Sequence, residues 1–535
     1  MYIKEGTTNY LRLQNNYIVN IYNVSINSYS DNSDSSGRAT VIGIDTNSTQ
    51  MPLAVSTEYN IMRSDMMLNL QQVLDQDLQL SESEKQQILS ELAVIVCFSS
   101  NFYIDNIDIY SSYSDVTDFN YFFRFINPLY KNIKISNANI GVSGMILYAD
   151  QQAESTLENL NVDFYRSQGG FFYDMRCSDT SLIFNSTFNV INVNFYFSQA
   201  RLFSIGYIYN PIRYFGGGKI YYYNFSSSIF TEHTSNRVAV FHFVDESCVF
   251  NSGDNPLVNI TNAYITIEQQ EGRDLSELFA TFSAASFTTS ISEGASVHVN
   301  NMTFENIHTY GTEAFYLNMG PNLDVNIKDL TFQDMYLTEE TFEIIDGRNV
   351  YLENVSLINS TIDSTQLFVS DAQNLTIKDM TIQGLYGSGS SGLFHVASIQ
   401  SKIAVNFEDI LIDDINLSNF KSFFQFASEE ASGNLTFSNM NFSNVVISSP
   451  LIVCESTANI EMNDVNFNNI EKQTLNDVSN SMIDLTSVSS SIDRNITLSG
   501  ISVQYSSMSL VKLSNTAQTV PINQNYSFTN ISYMH

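Results

Sequence analysis

The segment VNIKDLTF, residues 325–332, decides the fold because its pattern recurs along the chain. The pattern reads apolar, any, apolar, any, Asn or Asp, apolar, any, apolar. Copies occur from residue 297 onward at intervals of 25 to 36 residues, with Gly in place of Asn or Asp in one of them. They begin at Val297, Val325, Val350, Leu375, Val405, Leu435, Ile460, Ile496 and Tyr526.

Each copy predicts two short strands joined by a bend. Alternating apolar residues put every second side chain in a core, but Lys328 and Asp329 are consecutive polar residues and interrupt this alternation. Asn, Asp and Gly suit the second position because they tolerate a left-handed backbone. We predict a structural ladder of inward-facing turn residues comprising Asn301, Asp329, Asn354, Asp379, Asp409, Asn439, Asp464 and Asn530.

Two further patterns extend the repeat. Looser copies centre on Asn23, Asn106, Asn137, Asn159, Asn192, Asn224 and Asn262. A third short strand is predicted before each later copy, at Phe315 with Leu317, Phe342 with Ile344, Leu367 with Val369, Phe394 with Val396, Phe424 with Phe426, Leu451 with Val453, Ile483 with Leu485 and Val511 with Leu513.

These patterns predict an all-β fold, a right-handed parallel β-helix with three short strands per coil. No segment of helical period separates the strands, so successive coils must stack strand on strand. The hand follows from the usual right-handed crossover between parallel strands. A leucine-rich repeat is the rival, but its consensus places two residues between the last strand leucine and the Asn, where this chain has one.

Only residues 62–96 show a helical period, with Met66, Leu70 and Leu74 among their apolar positions. Ser81 and Glu84 fit a capping box for a second short helix that reaches Val96. We therefore predict N-terminal coils at 1–100 that carry a helical hairpin as an insertion or cap, or as a partner-binding arm. The β-helix is expected over 101–535 and to be truncated at its C-terminal end.

Charge and composition exclude several classes of protein. The chain has 56 acidic and 23 basic residues, a net charge of −33, so nucleic-acid binding is not expected. Its longest apolar run, Leu92–Phe98, is too short to cross a bilayer, which leaves any membrane anchor to a longer parent chain. The four cysteines are far apart, and Cys454 is interpreted as a small buried hydrophobic residue.

A three-strand coil with an Asn-favouring turn resembles the pectin lyase-like superfamily of right-handed β-helices, over about residues 100–535. The resemblance implies the fold and leaves the activity open, because that superfamily holds pectate and pectin lyases, polygalacturonases, and surface proteins and adhesins without demonstrated chemistry. Of the polygalacturonase motifs only an Asp pair is present, Asp413–Asp414, which we interpret as a solvated acidic turn. No basic residue lies in a recognisable lyase motif.

An aromatic stretch from Tyr165 to Phe225 is the candidate ligand site. Outward rings with interleaved arginines could bind sugar rings or another protein, although packing in the core and on the surface is the competing interpretation. The predicted platform comprises Tyr173, Arg176, Tyr196, Arg201, Tyr209, Arg213, Tyr214 and Tyr222. No cofactor is expected. A Ca²⁺ row along Asp329, Asp379 and Asp409 is an alternative that Asn354 interrupts.

Glycosylation sequons support an extracellular or cell-surface setting weakly, because an Asn- and Ser-rich chain contains many by chance. The candidates outside the predicted turns are Asn47, Asn185, Asn259, Asn359, Asn374, Asn416, Asn434, Asn441, Asn495 and Asn525. The first functional hypothesis is a non-catalytic stalk, adhesin or recognition surface with a protein or carbohydrate partner. A carbohydrate-active enzyme, as a lyase or glycoside hydrolase, is the alternative, and a passive spacer is a third.

Overall fold

The computed structural model consists of strands and connecting turns, and the part of the chain that it describes contains no helix. It divides into two compact units, residues 1–273 and residues 274–535. The predicted boundary near residue 100 lies inside the first unit. The described ranges are 2–3, 11–14, 18–29, 42–45, 93–97, 101–112, 121–126, 132–142, 145–150, 154–164, 173–176, 186–197, 208–209, 212–214, 218–230, 236–244, 257–268, 280–288, 296–309, 315–338, 342–363, 366–389, 392–396, 402–420, 422–428, 432–456, 458–473, 481–487, 494–515 and 524–534.

The described residues of the first unit form seventeen strands. They are β1 (Tyr2–Ile3), β2 (Leu11–Gln14), β3 (Ile18–Tyr29), β4 (Ile42–Asp45), β5 (Ala93–Cys97), β6 (Asn101–Ser112), β7 (Tyr121–Ile126), β8 (Asn132–Val142), β9 (Met145–Asp150), β10 (Glu154–Phe164), β11 (Tyr173–Arg176), β12 (Ser186–Phe197), β13 (Ile208–Tyr209), β14 (Ile212–Tyr214), β15 (Gly218–Phe230), β16 (Asn236–Val244) and β17 (Leu257–Glu268).

In the second unit, the part of the chain that the structure describes forms twenty strands. They are β18 (Ala280–Thr288), β19 (Ser296–Glu305), β20 (His308–Thr309), β21 (Phe315–Gln333), β22 (Tyr336–Leu337), β23 (Phe342–Asp363), β24 (Phe368–Ser370), β25 (Asn374–Ser388), β26 (Gly392–Val396), β27 (Lys402–Ser418), β28 (Ser422–Ser428), β29 (Ser432–Ile447), β30 (Ile452–Ser456), β31 (Asn459–Lys472), β32 (Ser481–Ser487), β33 (Arg494–Ser499), β34 (Ser502–Ser506), β35 (Ser509–Asn515), β36 (Gln524–Thr529) and β37 (Ser532–Met534).

Parallel pairing between equivalent positions of successive coils confirms the parallel β-helix. In the second unit β19 pairs with β21, β21 with β23, β23 with β25, β25 with β27 and β27 with β29. This register stacks one predicted apolar position from each copy into a continuous column. The column contains Val299, Ile327, Leu352, Ile377, Phe407 and Phe437, each at most 2% exposed.

Aromatic rings continue this stacking inside the coils. The rings of Phe407 and Phe437 are stacked, with centroids 5.6 Å apart and planes 8° apart, and Phe424 meets Phe407 edge-on at 4.9 Å. A small apolar cavity of about 20 Å³ remains nearby, lined by Leu352 and Leu357 among others. The core is therefore formed by side chains that repeat in register, one layer per coil.

Left-handed residues bend the strands where the sequence predicts. All eight predicted turn residues have φ between 50° and 57°, and Gly500, in the copy that begins at Ile496, has φ 64°. Five of the looser upstream positions, Asn137, Asn159, Asn192, Asn224 and Asn262, also have positive φ. Asn23 and Asn106 have no described side chains.

A second left-handed row lies five residues after the first in the second unit, and the eight-residue pattern did not predict it. It comprises Asn306, Asp334, Asn359, Gly384, Asp414, Asn444, Asn469 and Tyr505, with φ between 50° and 69°. At Gly384 a Cβ would lie 2.8 Å from Asn359 Oδ1, so the position favours glycine on steric grounds as well. The second bend adds a fourth short segment, such as 385–388, to the three that the sequence predicts.

Three local predictions were wrong. Phe342 pairs with Phe368, and Phe424 with Ile452, so the strands predicted at Leu367 with Val369 and at Leu451 with Val453 are shifted by one residue. Both pairs lie in runs of adjacent apolar residues, where alternation cannot define which residue faces the core. Val96 lies in β5, so the second predicted helix cannot extend to it. Residues 46–92, which hold the rest of that hairpin, lie outside the described residues.

Replacing Leu375 by alanine tests the stacked core. Leu375 is fully buried, so Leu375→Ala is expected to lower the free energy of unfolding by about 2–5 kcal/mol, because it leaves a cavity between neighbouring coils. Leu411→Ala removes the same atoms from a side chain that is 38% exposed and should cost less than about 1 kcal/mol. Denaturant unfolding followed by circular dichroism measures both. Equal losses would contradict the assignment of Leu375 to the core.

Replacing Tyr505 by asparagine tests the second left-handed row. Tyr505 has φ 52° and is 62% exposed, so it has the strain of a bulky left-handed residue without compensating burial. Tyr505→Asn is expected to raise the free energy of unfolding by about 1 kcal/mol. Tyr223→Asn is the control, because Tyr223 is 47% exposed within β15 and asparagine has no conformational advantage in a strand. A loss of stability in Tyr505→Asn would show that the ring contributes packing there.

Candidate functional site

The first turn ladder lies on the outside of the coils. In the first unit each rung after the first donates a side-chain hydrogen bond from Nδ2 to the Oδ1 of the rung before it, at 2.8–3.0 Å. The rungs, in chain order, are Asn137, Asn159, Asn192, Asn224 and Asn262. In the second unit Asn354 donates to Asp329 and Asn439 donates to Asp409. Each of these hydrogen bonds joins a rung to the rung before it. The expectation that the ladder faces inward was wrong, because all but two of these side chains are exposed and the other two are half-buried.

An outer amide row runs parallel to this ladder in the second unit. Asn349 donates to Asp324 at 2.8 Å, Asn374 donates to Asn349 at 2.9 Å, and Ala404 then interrupts the row. Asn459 donates to Asn434 at 3.2 Å, and Asn525 donates to Asn495 at 2.9 Å. Arg348 also donates from Nε to Asp324 at 2.9 Å, and this contact, with the bond from Asn349, lowers the pKa of Asp324.

Four predicted glycosylation positions belong to this amide row: Asn374, Asn434, Asn495 and Asn525. The hydroxyl of each sequon lies two residues later, on an outward strand position, at Thr376, Thr436, Thr497 and Ser527. The repeat itself thus generates these sequons, because it places an outer Asn and an outer Thr or Ser two residues apart.

The other predicted glycosylation positions are distributed over the coils. Asn259 is half-buried, Asn359 belongs to the second left-handed row, and Asn441 is exposed on β29. Asn416 is exposed and accepts a hydrogen bond from Gln473 Nε2 at 2.8 Å. Asn47 and Asn185 lie outside the described residues. Glycosylation stays a prediction at all ten positions.

The acidic pair Asp413–Asp414 lies at the second bend. Asp413 accepts hydrogen bonds from Ser443 Oγ at 2.6 Å and Asn444 Nδ2 at 2.9 Å. Both bonds lower the pKa of Asp413, and the bond from Ser443 has the larger effect. Asp414 has φ 56° and accepts from the Tyr386 hydroxyl, a bond that raises the pKa of Tyr386. Asp413 is thus held ionised, which is the opposite of what a general acid requires.

A charge ladder, defined as Lys328, Glu353, Lys378 and Glu408, crosses four successive coils on the outer face. The four residues are consecutive partners in the strand register. Lys328 Nζ lies 2.7 Å from Glu353 Oε2, and Lys378 Nζ lies 3.6 Å from Glu408 Oε1. Lys328 also lies over the ring of Tyr351, 5.6 Å from its centroid. Hydrogen bonding to Glu353 raises the pKa of Lys328, and the same contact lowers that of Glu353.

A buried cation lies next to the buried thiol in the last coils. Arg494 is 1% exposed and donates from Nε to the Ala458 carbonyl at 3.0 Å, while its Nη2 has no hydrogen-bond partner. Burial lowers the pKa of Arg494 and raises that of Cys454 to about 12. Cys454 is therefore a protonated, fully buried thiol, which confirms its interpretation as a small hydrophobic residue. No feature of the sequence pattern predicts that Arg494 is buried.

The predicted aromatic platform is described only in part. Tyr222 is 3% exposed and packs edge-on against Phe225 at 5.8 Å, so it cannot offer its ring to a ligand. Among the described side chains of this unit, the exposed rings are instead those of Tyr223 and Tyr264, at 47% and 42%. The backbone places Tyr173 and Arg176 in β11, Tyr196 in β12, Tyr209 in β13, and Arg213 and Tyr214 in β14, which pairs with β11. Arg201 lies outside the described residues, and the platform stays a prediction.

Within the described residues, no three side chains of His, Cys, Asp or Glu form a group that could hold a metal ion. The described residues likewise include no helix with the length and apolarity needed to cross a bilayer. The prediction of a Ca²⁺ row therefore has no supporting cluster along these coils.

Comparison with known proteins finds no matching family model, no matching curated protein and no matching solved structure. The fold therefore rests on the parallel register and the buried columns of this chain alone.

The environment of Asp413 predicts a pH-dependent contribution to stability. Its folded pKa lies below the ordinary value of 3.8, so its stabilising bonds are fully present above pH 3.8 and are lost as the pH falls through the lower folded value. Asp413→Asn should therefore destabilise the protein by about 1 kcal/mol at pH 7, with the difference from wild type shrinking at acidic pH. Thermal unfolding from pH 7 to pH 2 measures this. A difference that is constant with pH would contradict the assignment.

Proposed function

We propose that the chain is a non-catalytic β-helix of the pectin lyase-like type that acts at a cell surface or outside the cell as a stalk, adhesin or recognition surface. One observation carries the proposal. Polar side chains on the outer corners bond to the equivalent residue of the next coil, as in the five-rung asparagine ladder, and so form linear rows instead of converging on one point. Such rows stiffen a stack of coils.

Asp413 is the best candidate for a catalytic carboxylate under the enzyme alternative, but it too hydrogen bonds to the next coil. A glycoside hydrolase needs one carboxyl group kept protonated to donate to the leaving oxygen. Asp413 instead accepts from the next coil, and those bonds lower its pKa. The acidic pair thus supports the interpretation as a turn, and the remaining outer surface offers amides, hydroxyls and exposed tyrosines suited to recognition.

Carbohydrate and turnover assays on one preparation test the proposal. The protein is incubated with polygalacturonate and pectin while reducing ends and unsaturated products are followed, and in parallel is applied to a glycan array. We expect no turnover by wild type, and the double variant Asp413→Asn with Asp414→Asn should give the same array profile. Turnover that this variant abolishes would overturn the proposal in favour of an enzyme. Turnover that persists in the variant would also overturn it and place the chemistry elsewhere.

A further inference from the structure

Two outward tyrosines lie side by side on β15. Tyr222 is buried, so its neighbours Tyr221 and Tyr223 take the outward positions, about 7 Å apart along the strand. Tyr223 is 47% exposed and Tyr221 is half-buried. Because β15 pairs with β12 on one side and with β17 on the other, the backbone that carries both rings is fixed within the sheet.

Uncharged side chains of the neighbouring coils flank the two rings. Each ring lies between one residue of β12 and one residue of β17 in the strand register. The four flanking residues are half-buried, so the ring of Tyr223 is the most exposed part of this surface. We define the tyrosine patch as these six residues: Asn189, Ile191, Tyr221, Tyr223, Asn259 and Thr261.

The amides of the patch keep hydrogen-bonding groups for a ligand. Asn189 donates from Nδ2 to Thr156 Oγ1 at 3.5 Å, and Thr261 Oγ1 donates to Asn259 Oδ1 at 3.3 Å. Among the contacts of the described residues, these bonds leave Asn189 Oδ1 as an acceptor and Asn259 Nδ2 as a donor. A hydroxyl group both donates and accepts, so it can bond to either amide.

The patch carries no charge on a chain whose net charge is −33. Glu158, which pairs with Ser136 and lies in the coil before the patch, forms an ion pair with Lys134 Nζ at 2.7 Å. Lys219 lies in β15 at the edge of the patch, two residues before Tyr221. The field of the whole chain opposes an anionic ligand but not an uncharged one. The adjacent bend column is uncharged as well, and in these three coils it comprises Asn192, Asn224 and Asn262.

The size of the patch fits a small ligand. Its three coils span about 10 Å and its two outward positions about 7 Å, an area on the order of 100 Å². A stable protein interface buries about 800 Å² on each partner, so the patch alone is too small for one. Two exposed tyrosines instead match one or two flat rings that have an apolar face and a polar rim. Sugars have this character, because their C–H groups form an apolar face and their hydroxyls point outward.

We propose that the tyrosine patch binds an uncharged oligosaccharide. The apolar faces of its sugar rings lie against Tyr223 and Tyr221, and its hydroxyls bond to Asn189 and Asn259. The site differs from the predicted aromatic platform, which included the buried Tyr222 and neither outward neighbour. This inference rests on the proposed function, because it names the ligand class and the location of one recognition surface.

Titration calorimetry and saturation-transfer NMR on the full chain test the site. The chain is produced in a host without N-glycosylation, because Asn259 is a predicted glycosylation position and a glycan there would cover the rings. The probes are maltotetraose, cellotetraose and mannotetraose, with tetragalacturonate as their anionic counterpart. At least one neutral probe is expected to bind, and tetragalacturonate should bind at least about tenfold more weakly than that probe.

Three variants locate the binding on the patch. Tyr223→Ala removes the exposed ring and should weaken binding at least about tenfold. Tyr223→Phe keeps the ring and should bind within about twofold of wild type. Tyr264→Ala is the matched control, because Tyr264 is 42% exposed but lies beyond the bend in β17, so this variant should bind like wild type. Circular dichroism and thermal unfolding establish that each variant is folded.

Four results would each overturn the inference. They are binding of no neutral probe, which would leave the rings to a protein contact, equal binding of tetragalacturonate, unchanged binding by Tyr223→Ala, and an equal loss in Tyr264→Ala. The proposed function fails on a different reading, since turnover of polygalacturonate or pectin overturns it whether or not the patch binds sugar. Absence of turnover together with absence of sugar binding would overturn only the inference about the patch.

Discussion

The in-register stacking of each coil on the next is the constraint on which the rest of the structure depends. Parallel pairing ties every residue to its equivalent one repeat away, so each position becomes a column of similar side chains. Apolar columns form the core, and polar columns form the ladders and rows on the outside. A residue type is favoured in such a fold when it packs against, or hydrogen bonds to, the same residue type in the neighbouring coil. This explains why Asn is frequent both at the bends and beside them.

This constraint also accounts for the outer chemistry. Amides bond to amides because an Asn offers both a donor and an acceptor to the next Asn, whereas lysine and glutamate must alternate to avoid repulsion between rungs. The Asp414 bend is part of the same scheme, since it occupies the row that holds Asn444 and Asn469 in the following coils. An acidic pair that resembles a catalytic motif in the sequence is thus explained by its position in the repeat.

The sequence predicted the coil register and the first row of bends because apolar alternation and the Asn, Asp or Gly position agree in every later copy. The second row was equally visible five residues on, at Asn306, Asp334, Asn359 and Gly384, but it lies beyond the eight-residue unit that defined the repeat. The register of the short strands at Phe368 and Ile452 could not be derived, because adjacent apolar residues leave two equivalent choices. The burial of Arg494 could not be derived either, since its hydrogen-bond partner is the backbone carbonyl of Ala458 in the coil before, and a backbone partner leaves no mark in the residue pattern. Tyr222 was misassigned because alternation in a wholly aromatic run, 221–223, does not mark the inner face.

Pairing between β3 and β6 joins Ile18 to Asn101 across a long intervening segment, while most coils join residues 25 to 36 apart. Loop-closure entropy rises only with the logarithm of loop length, so a longer excursion between two coils delays their meeting modestly. The coils can therefore fold one after another, because each finished coil is a template for the next. The kinetic barrier to adding a coil is then nearly constant along the chain. Lengthening the chain by further repeats would then add steps in series without making any one of them slower.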